Sequence, residues 1–135
     1  MSAEAHHDAL VARLKAHAQL ATSVFELGEV PTVNPPSRYV VVGSSLGDWS
    51  QVRYTGTKDA LLTTHVLYCV GSNAAAVRRV GSWVTEQMKD HRLTLTGRQA
   101  FRPDPWISRP IQIDKDGPIV LPFGTIAFDI LSEPV

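Results

Sequence analysis

Between Ala60 and Val77 the chain runs for 18 residues without Asp, Glu, Lys or Arg, and Gly71-Ser72-Asn73 divides that run into two unlike halves. The first half, ALLTTHVLYCV, carries apolar residues at both parities: Leu62, Val66, Tyr68 and Val70 alternate with Leu61, Leu67 and Cys69. A strand that is apolar on both faces belongs in the middle of a sheet. The second half opens AAAVRRVGSWVTEQMKD, where Val77, Val80, Val84 and Met88 recur at helical spacing and Arg78, Arg79, Glu86 and Lys89 fall on the opposite side. A central strand running into an amphipathic helix over Asn73 to Asp90 is therefore the fixed point of the fold. The polar residues and the Gly-Ser-Asn break within the uncharged run exclude a transmembrane helix. Gly81, inside the helix, costs roughly 1 kcal/mol relative to alanine and is expected to mark a close packing contact.

Around this unit the rest falls into place by pattern. Leu10, Val11, Leu14 and Ala18 give a first helix from about Ala3 to Ala21 with one apolar face. Val24 to Leu27 reads as an edge strand or loop before Pro31, Pro35 and Pro36. RYVVVGSS (Arg38 to Ser45) is a strand, and Gly47 to Asp59 a long hairpin arm bearing Trp49, Arg53 and Tyr54. After the central helix, Leu93 to Leu95 is a short strand, and Gly97 to Pro110 an edge strand plus loop with Arg98, Arg102, Trp106 and Arg109. Ile111 to Ile113 and Ile119 to Leu131 form a closing hairpin around Asp114-Lys115-Asp116-Gly117, with Ile126, Phe128 and Ile130 on one face. The expected class is α+β: a mixed, mainly antiparallel sheet with an N-terminal helix and one central helix packed on it. At 135 residues one domain, 1–135, accounts for the whole chain, since such a length buries about two-thirds of its unfolded surface.

Charge and cysteine content narrow the chemistry. Thirteen basic and 13 acidic residues cancel, so the chain as a whole has no field for nucleic acid or an anionic membrane. The single cysteine, Cys69, excludes a disulfide framework and a cysteine-rich zinc site. No secretory signal pattern opens the sequence. Gly43 to Gly47 lacks the Lys-Ser/Thr of a phosphate loop, and Asp114-x-Asp116-Gly117 lacks the later ligands of a calcium loop. His6-His7 point in different directions on a helix and are expected on a solvated face. His65 and Cys69, four residues apart on one strand face, are separated by roughly 13 Å and cannot bond directly. Nothing assembles a nucleophile, base and orienting group, so no catalytic residue, metal ligand or cofactor-binding residue is assigned and no cofactor is expected. A small hydrolase or ligand-binding domain using His65, His91 or Asp129 is the alternative of another class, and a DNA-contacting module a further one.

The order of a first helix (His7 to Leu20), RYVVVGSS, a long arm, ALLTTHVLYCV, AAAVRRVGSWVTEQMKD, LTLTGRQAF and a DKDG hairpin closing on GTIAFDIL resembles the tail-terminator proteins of long-tailed bacteriophages. The likeness spans nearly the whole chain and rests on architecture rather than on an invariant motif. The resemblance implies a structural, non-enzymatic virion protein, a homohexameric ring on the end of the tail tube that stops tube growth and offers a surface for head-tail joining. Its implied partners are itself, the tail tube protein and the head-completion or connector proteins, with no membrane, and with DNA only as what passes through the ring. Its implied place is the head-proximal end of the tail, after assembly in the host cytoplasm. A head-tail connector or neck protein is the nearest alternative. Ring closure requires one patch to meet a different patch on the next copy. Tryptophan with arginine outside the core is the composition that interfaces favour, which selects Trp49, Arg53, Tyr54, Arg102, Trp106 and Arg109.

Overall fold

The computed structural model describes residues 2–50, 59–113 and 121–135. Its elements run α1 (Ala3–Lys15), β1 (Val24–Glu26), β2 (Tyr39–Ser44), β3 (Asp48–Ser50), β4 (Ala60–Val70), α2 (Ala74–Met88), β5 (Thr94–Leu95), β6 (Arg98–Ala100), β7 (Ile107–Ile113) and β8 (Pro122–Pro134). The strands form one sheet in the order β1-β2-β4-β8-β6-β5, with β3 added to β4 and β7 to β8. Among the described residues, β1 and β2 pair in parallel and the other pairs are antiparallel. This is the α+β architecture that the sequence pattern predicts, with β4 in the interior of the sheet.

Alternation along the strands decides which face is which. Val40 and Val42 of β2, Leu67 and Cys69 of β4, and Ile126, Phe128 and Ile130 of β8 point inward, where they meet Leu10 and Leu14 of α1 and Val77, Val80, Val84 and Met88 of α2 in one buried cluster. The opposite parity, with Leu62, Val66 and Tyr68, is half-buried. Both helices thus lie over one face. They are clasped to each other by reciprocal bonds, Arg13 Nε–H to the Gln87 carbonyl and Gln87 Nε2–H to the Arg13 carbonyl at 2.7 Å. Asn73 caps α2, its side-chain oxygen accepting from the Ala76 amide at 2.8 Å.

Four expectations are corrected or bounded. The first helix stops at Lys15, because beyond Ala16 the amides of His17, Leu20 and Ser23 bond three residues back and turn Leu20 into the core, leaving Ala18 exposed. The last strand extends to Pro134, where Arg98–Ala100 supplies its partner. The arm at Gly47 to Asp59 is represented by β3, paired with the start of β4; Arg53, Tyr54 and the Asp114 to Gly117 turn lie outside the described residues. Gly81 faces open space: among the described residues, no atom outside its own helix backbone lies within 4 Å of where a Cβ would sit, so close packing does not explain it. Pro110 is accommodated in the edge strand β7 by a register shift between Arg109 and Gln112, as the missing donor requires. Replacing the α2 cap, Asn73→Ala, leaves the Ala76 amide without its acceptor; urea unfolding is expected to show a loss of about 1 kcal/mol.

Candidate functional site

Polar residues at inward-facing positions gather at one end of the core. Beneath α1, His6 Nδ1 lies 2.8 Å from Thr63 Oγ1 and His6 Nε2 lies 2.7 Å from Ser132 Oγ. His65 Nε2 lies 2.6 Å from the same Thr63 hydroxyl, and His65 Nδ1 lies 2.8 Å from Ser44 Oγ. Ser44 Oγ also meets His7 Nδ1 at 2.7 Å, and His7 Nε2 meets Glu26 Oε1 at 2.8 Å. At the far end Arg98 Nε–H donates to Ser132 Oγ at 3.0 Å. His6, His65, Thr63 and Ser132 are wholly buried. The expectation that His6-His7 occupies a solvated face is therefore wrong: both imidazoles are buried against the sheet.

The two ends assign the protons between them. A carboxylate only accepts and a guanidinium only donates, so with neutral imidazoles one polarity satisfies every atom. Arg98 donates to Ser132, Ser132 to His6 Nε2, His6 Nδ1–H to Thr63, Thr63 to His65 Nε2, His65 Nδ1–H to Ser44, Ser44 to His7 Nδ1, and His7 Nε2–H to Glu26. Seven bonds in series thus tie α1 to β1, β2, β4, β8 and β6, in the order in which those strands lie in the sheet. A fully satisfied buried network of this kind rigidifies the core around it.

Burial pushes the His6 pKa down to about 4, with a smaller push from the Arg98 charge. His65 is likewise pushed to about 4 by burial first and then by His6 and His7. The folded chain resists a proton that the unfolded chain takes up near the ordinary value of 6.5. This contribution to stability is therefore complete above about pH 6.5, declines as pH falls toward 4 and levels off below that. Between pH 7 and pH 5, where carboxylates stay mostly ionised, urea unfolding is expected to register a loss of about 2 kcal/mol for one histidine and more for both. A midpoint unchanged over that interval contradicts the neutral relay.

Ser44, His7 and Glu26 place a hydroxyl, an imidazole and a carboxylate in series, the order that activates a nucleophile. Two features set this series apart. Ser44 Oγ is also bonded by His65, and the adjacent Ser45 amide already donates to the Thr64 carbonyl at 2.9 Å, which occupies it as a donor. The hydrolase alternative finds its three residues apart: His65 is buried on the inner face, Asp129 accepts from Thr64 Oγ1 on the outer face at 2.8 Å, and His91 is exposed beyond α2. Burial pushes the Cys69 thiol up to about 12, which keeps it protonated and unreactive. Among the described residues, no group of three His, Cys, Asp or Glu could hold a metal ion.

A second feature lies on the other side of α2. Between this helix and β7 runs a groove of about 610 Å³, floored by Val77, Gly81, Trp106 and Ile111 and rimmed by Arg78 and Arg109. Trp106 stacks on Phe128 with ring centres 5.2 Å apart and planes within 1°, so it covers the core while walling the groove. Arg109 is exposed on β7, and Arg102 is exposed on the loop before it. Trp49 is elsewhere: on β3 opposite Leu61, 46% exposed, with the Arg98 guanidinium 5.7 Å from its ring centre. Of the interface residues selected from the sequence, the structure brings Trp106 and Arg109 together and holds Trp49 apart from them.

No protein-family model matches the chain, and no curated protein sequence matches it either. Solved structures do. A chain of the native gene transfer agent virion particle superposes with a TM-score of 0.67 at 17% identity, covering 97% of this chain and 96% of that one. A second solved structure superposes at 0.59 with 12% identity, covering 98% of this chain and 92% of that one. The bacteriophage SPP1 gp17 protein superposes at 0.43 with 17% identity over 93% and 88% of the two chains, a level that adds no weight. The fold is thus shared, nearly end to end, with a component of the native gene transfer agent virion particle.

Proposed function

We propose that the chain is a structural virion protein of a long-tailed phage or phage-like particle, folded as one domain over 1–135 and acting by assembly rather than turnover. In this reading, copies close into a homohexameric ring on the head-proximal end of the tail tube, stop its polymerisation and present a surface to the head-completion or connector proteins, without a cofactor. Assembly takes place in the host cytoplasm, and DNA passes through the ring. The observation that carries the reading is the likeness, over 97% of the chain, to a component of a gene transfer agent virion. It is supported by the order of elements that resembles the tail terminators and by a groove that pairs Trp106 with Arg109 outside the helix-sheet core. Trp49, Arg53, Tyr54, Arg102, Trp106 and Arg109 are the residues assigned to contacts with other copies or partners.

Tails assembled with and without the protein test the proposal. Electron microscopy is expected to show overlong tubes in its absence and tubes of uniform length, capped at one end, when the purified protein is restored. Tubes of normal length without it sink the terminator role, and density for the protein on the head side of isolated particles would assign it to the neck instead.

A further inference from the structure

The charges of this neutral chain are not evenly spread. At the β1 end of the sheet, the cleft between α1 and β1 is lined by Glu4, Asp8, Glu26 and Glu29 against Lys15 and His7, with one oxygen of Glu26 engaged by His7 Nε2 at 2.8 Å. Just beyond β1, Leu27 stands 69% exposed between Glu26 and Glu29. At the other end, the α2–β7 groove presents Arg78 and Arg109, while Glu86, the one carboxylate among its described lining residues, is engaged by His17 Nε2 at 3.0 Å. Among the described residues, neither arginine has a carboxylate within ion-pair distance. Strands β1 and β7 flank β2, β4 and β8 on opposite sides. Four strand spacings, roughly 19 Å, separate them, too far for the two surfaces to meet within one copy.

We propose that they meet between copies: the β1-edge segment carrying Leu27 and Glu29 of one molecule seats in the α2–β7 groove of the next, its carboxylates facing Arg78 and Arg109. The contact rests on the ring-forming reading and specifies its interface. It joins unlike patches at opposite ends of the sheet, which is the heterologous geometry that closes rings. It also accounts for Gly81. A glycine inside α2 weakens the helix, and among the described residues nothing outside its own helix fills the space above it; a leucine arriving from a neighbour would. The acidic segment and basic rim steer the two copies into register.

Two charge variants test the contact. Arg78→Glu with Arg109→Glu makes the groove acidic. Glu26→Gln with Glu29→Arg makes the segment basic while leaving an oxygen to accept from His7. Each variant alone is expected to associate at least tenfold more weakly than the parent, in solution and on isolated tail tubes, by light scattering and native mass spectrometry. Mixed one to one, they regain assemblies holding equal numbers of each, because every basic segment then finds an acidic groove. Gly81→Leu fills the groove from within and is expected to weaken association at least tenfold with its melting transition retained. Parental association by either folded charge variant alone, a mixture that fails to recover, or a Gly81→Leu protein that assembles normally overturns the contact and leaves the ring reading standing. A parent that stays monomeric in solution and on tubes overturns both.

Discussion

The relay from Arg98 to Glu26, wholly buried through Ser132, His6, Thr63 and His65, is the constraint around which the rest of the subunit is arranged. Hydroxyls and imidazoles removed from water cost several kcal/mol in total if left unpaired, so the fold must bring α1 and five strands into one register or forgo the core. Its ends matter as much as its middle. Because Glu26 cannot donate and Arg98 cannot accept, residues on strands at either side of the sheet set one direction of donation for a relay of neutral imidazoles. The apolar half of the core, from Leu10 and Leu14 to Val84 and Met88, tolerates small shifts in packing; the polar half does not.

This division explains why the molecule keeps two kinds of surface. The helix-covered side is closed by apolar packing and the α1–α2 clasp. The groove beside α2 is left open by Gly81 and walled by Trp106, whose ring leans on Phe128. A tryptophan held flat by the core is a rigid wall that loses little conformational freedom when something docks against it. The relay and the groove thus do complementary jobs, one holding the subunit in shape and the other presenting a preformed hollow.

Much of this was legible in the sequence, and the reasons differ by element. The uncharged run from Ala60 placed β4, the apolar stripe of Val77, Val80, Val84 and Met88 set against Arg78, Arg79 and Glu86 placed α2, and Asn73 marked their junction. The end of the first helix was not legible: Ala16 to Ala21 contains no breaker, and the turn comes from Leu20 being drawn into the core. The histidine relay was missed because adjacent histidines on a helix look solvated when weighed as metal ligands. The signal lay in spacing, since His6 stands four residues before Leu10 and eight before Leu14, while Thr63 and His65 share strand parity with Leu61 and Leu67. Trp106 and Arg109 carried a compositional signal for a surface; that they share a groove, and that Trp49 does not, depends on which edge of the sheet each strand joins.

Strand β8 has a consequence for how the chain reaches this state. It bonds β4 along one edge and β6 and β7 along the other, yet it leaves the ribosome after every strand it joins. Until it emerges, β4 has an unpaired edge, β6 has only the two-residue β5 beside it, β7 lacks the strand it pairs with, and His6 lacks Ser132. Such pairing across long sequence separations folds slowly, so a nascent chain spends its synthesis with a sticky, half-built sheet, and its hazard is premature association through β4 before the last thirteen-residue strand closes it.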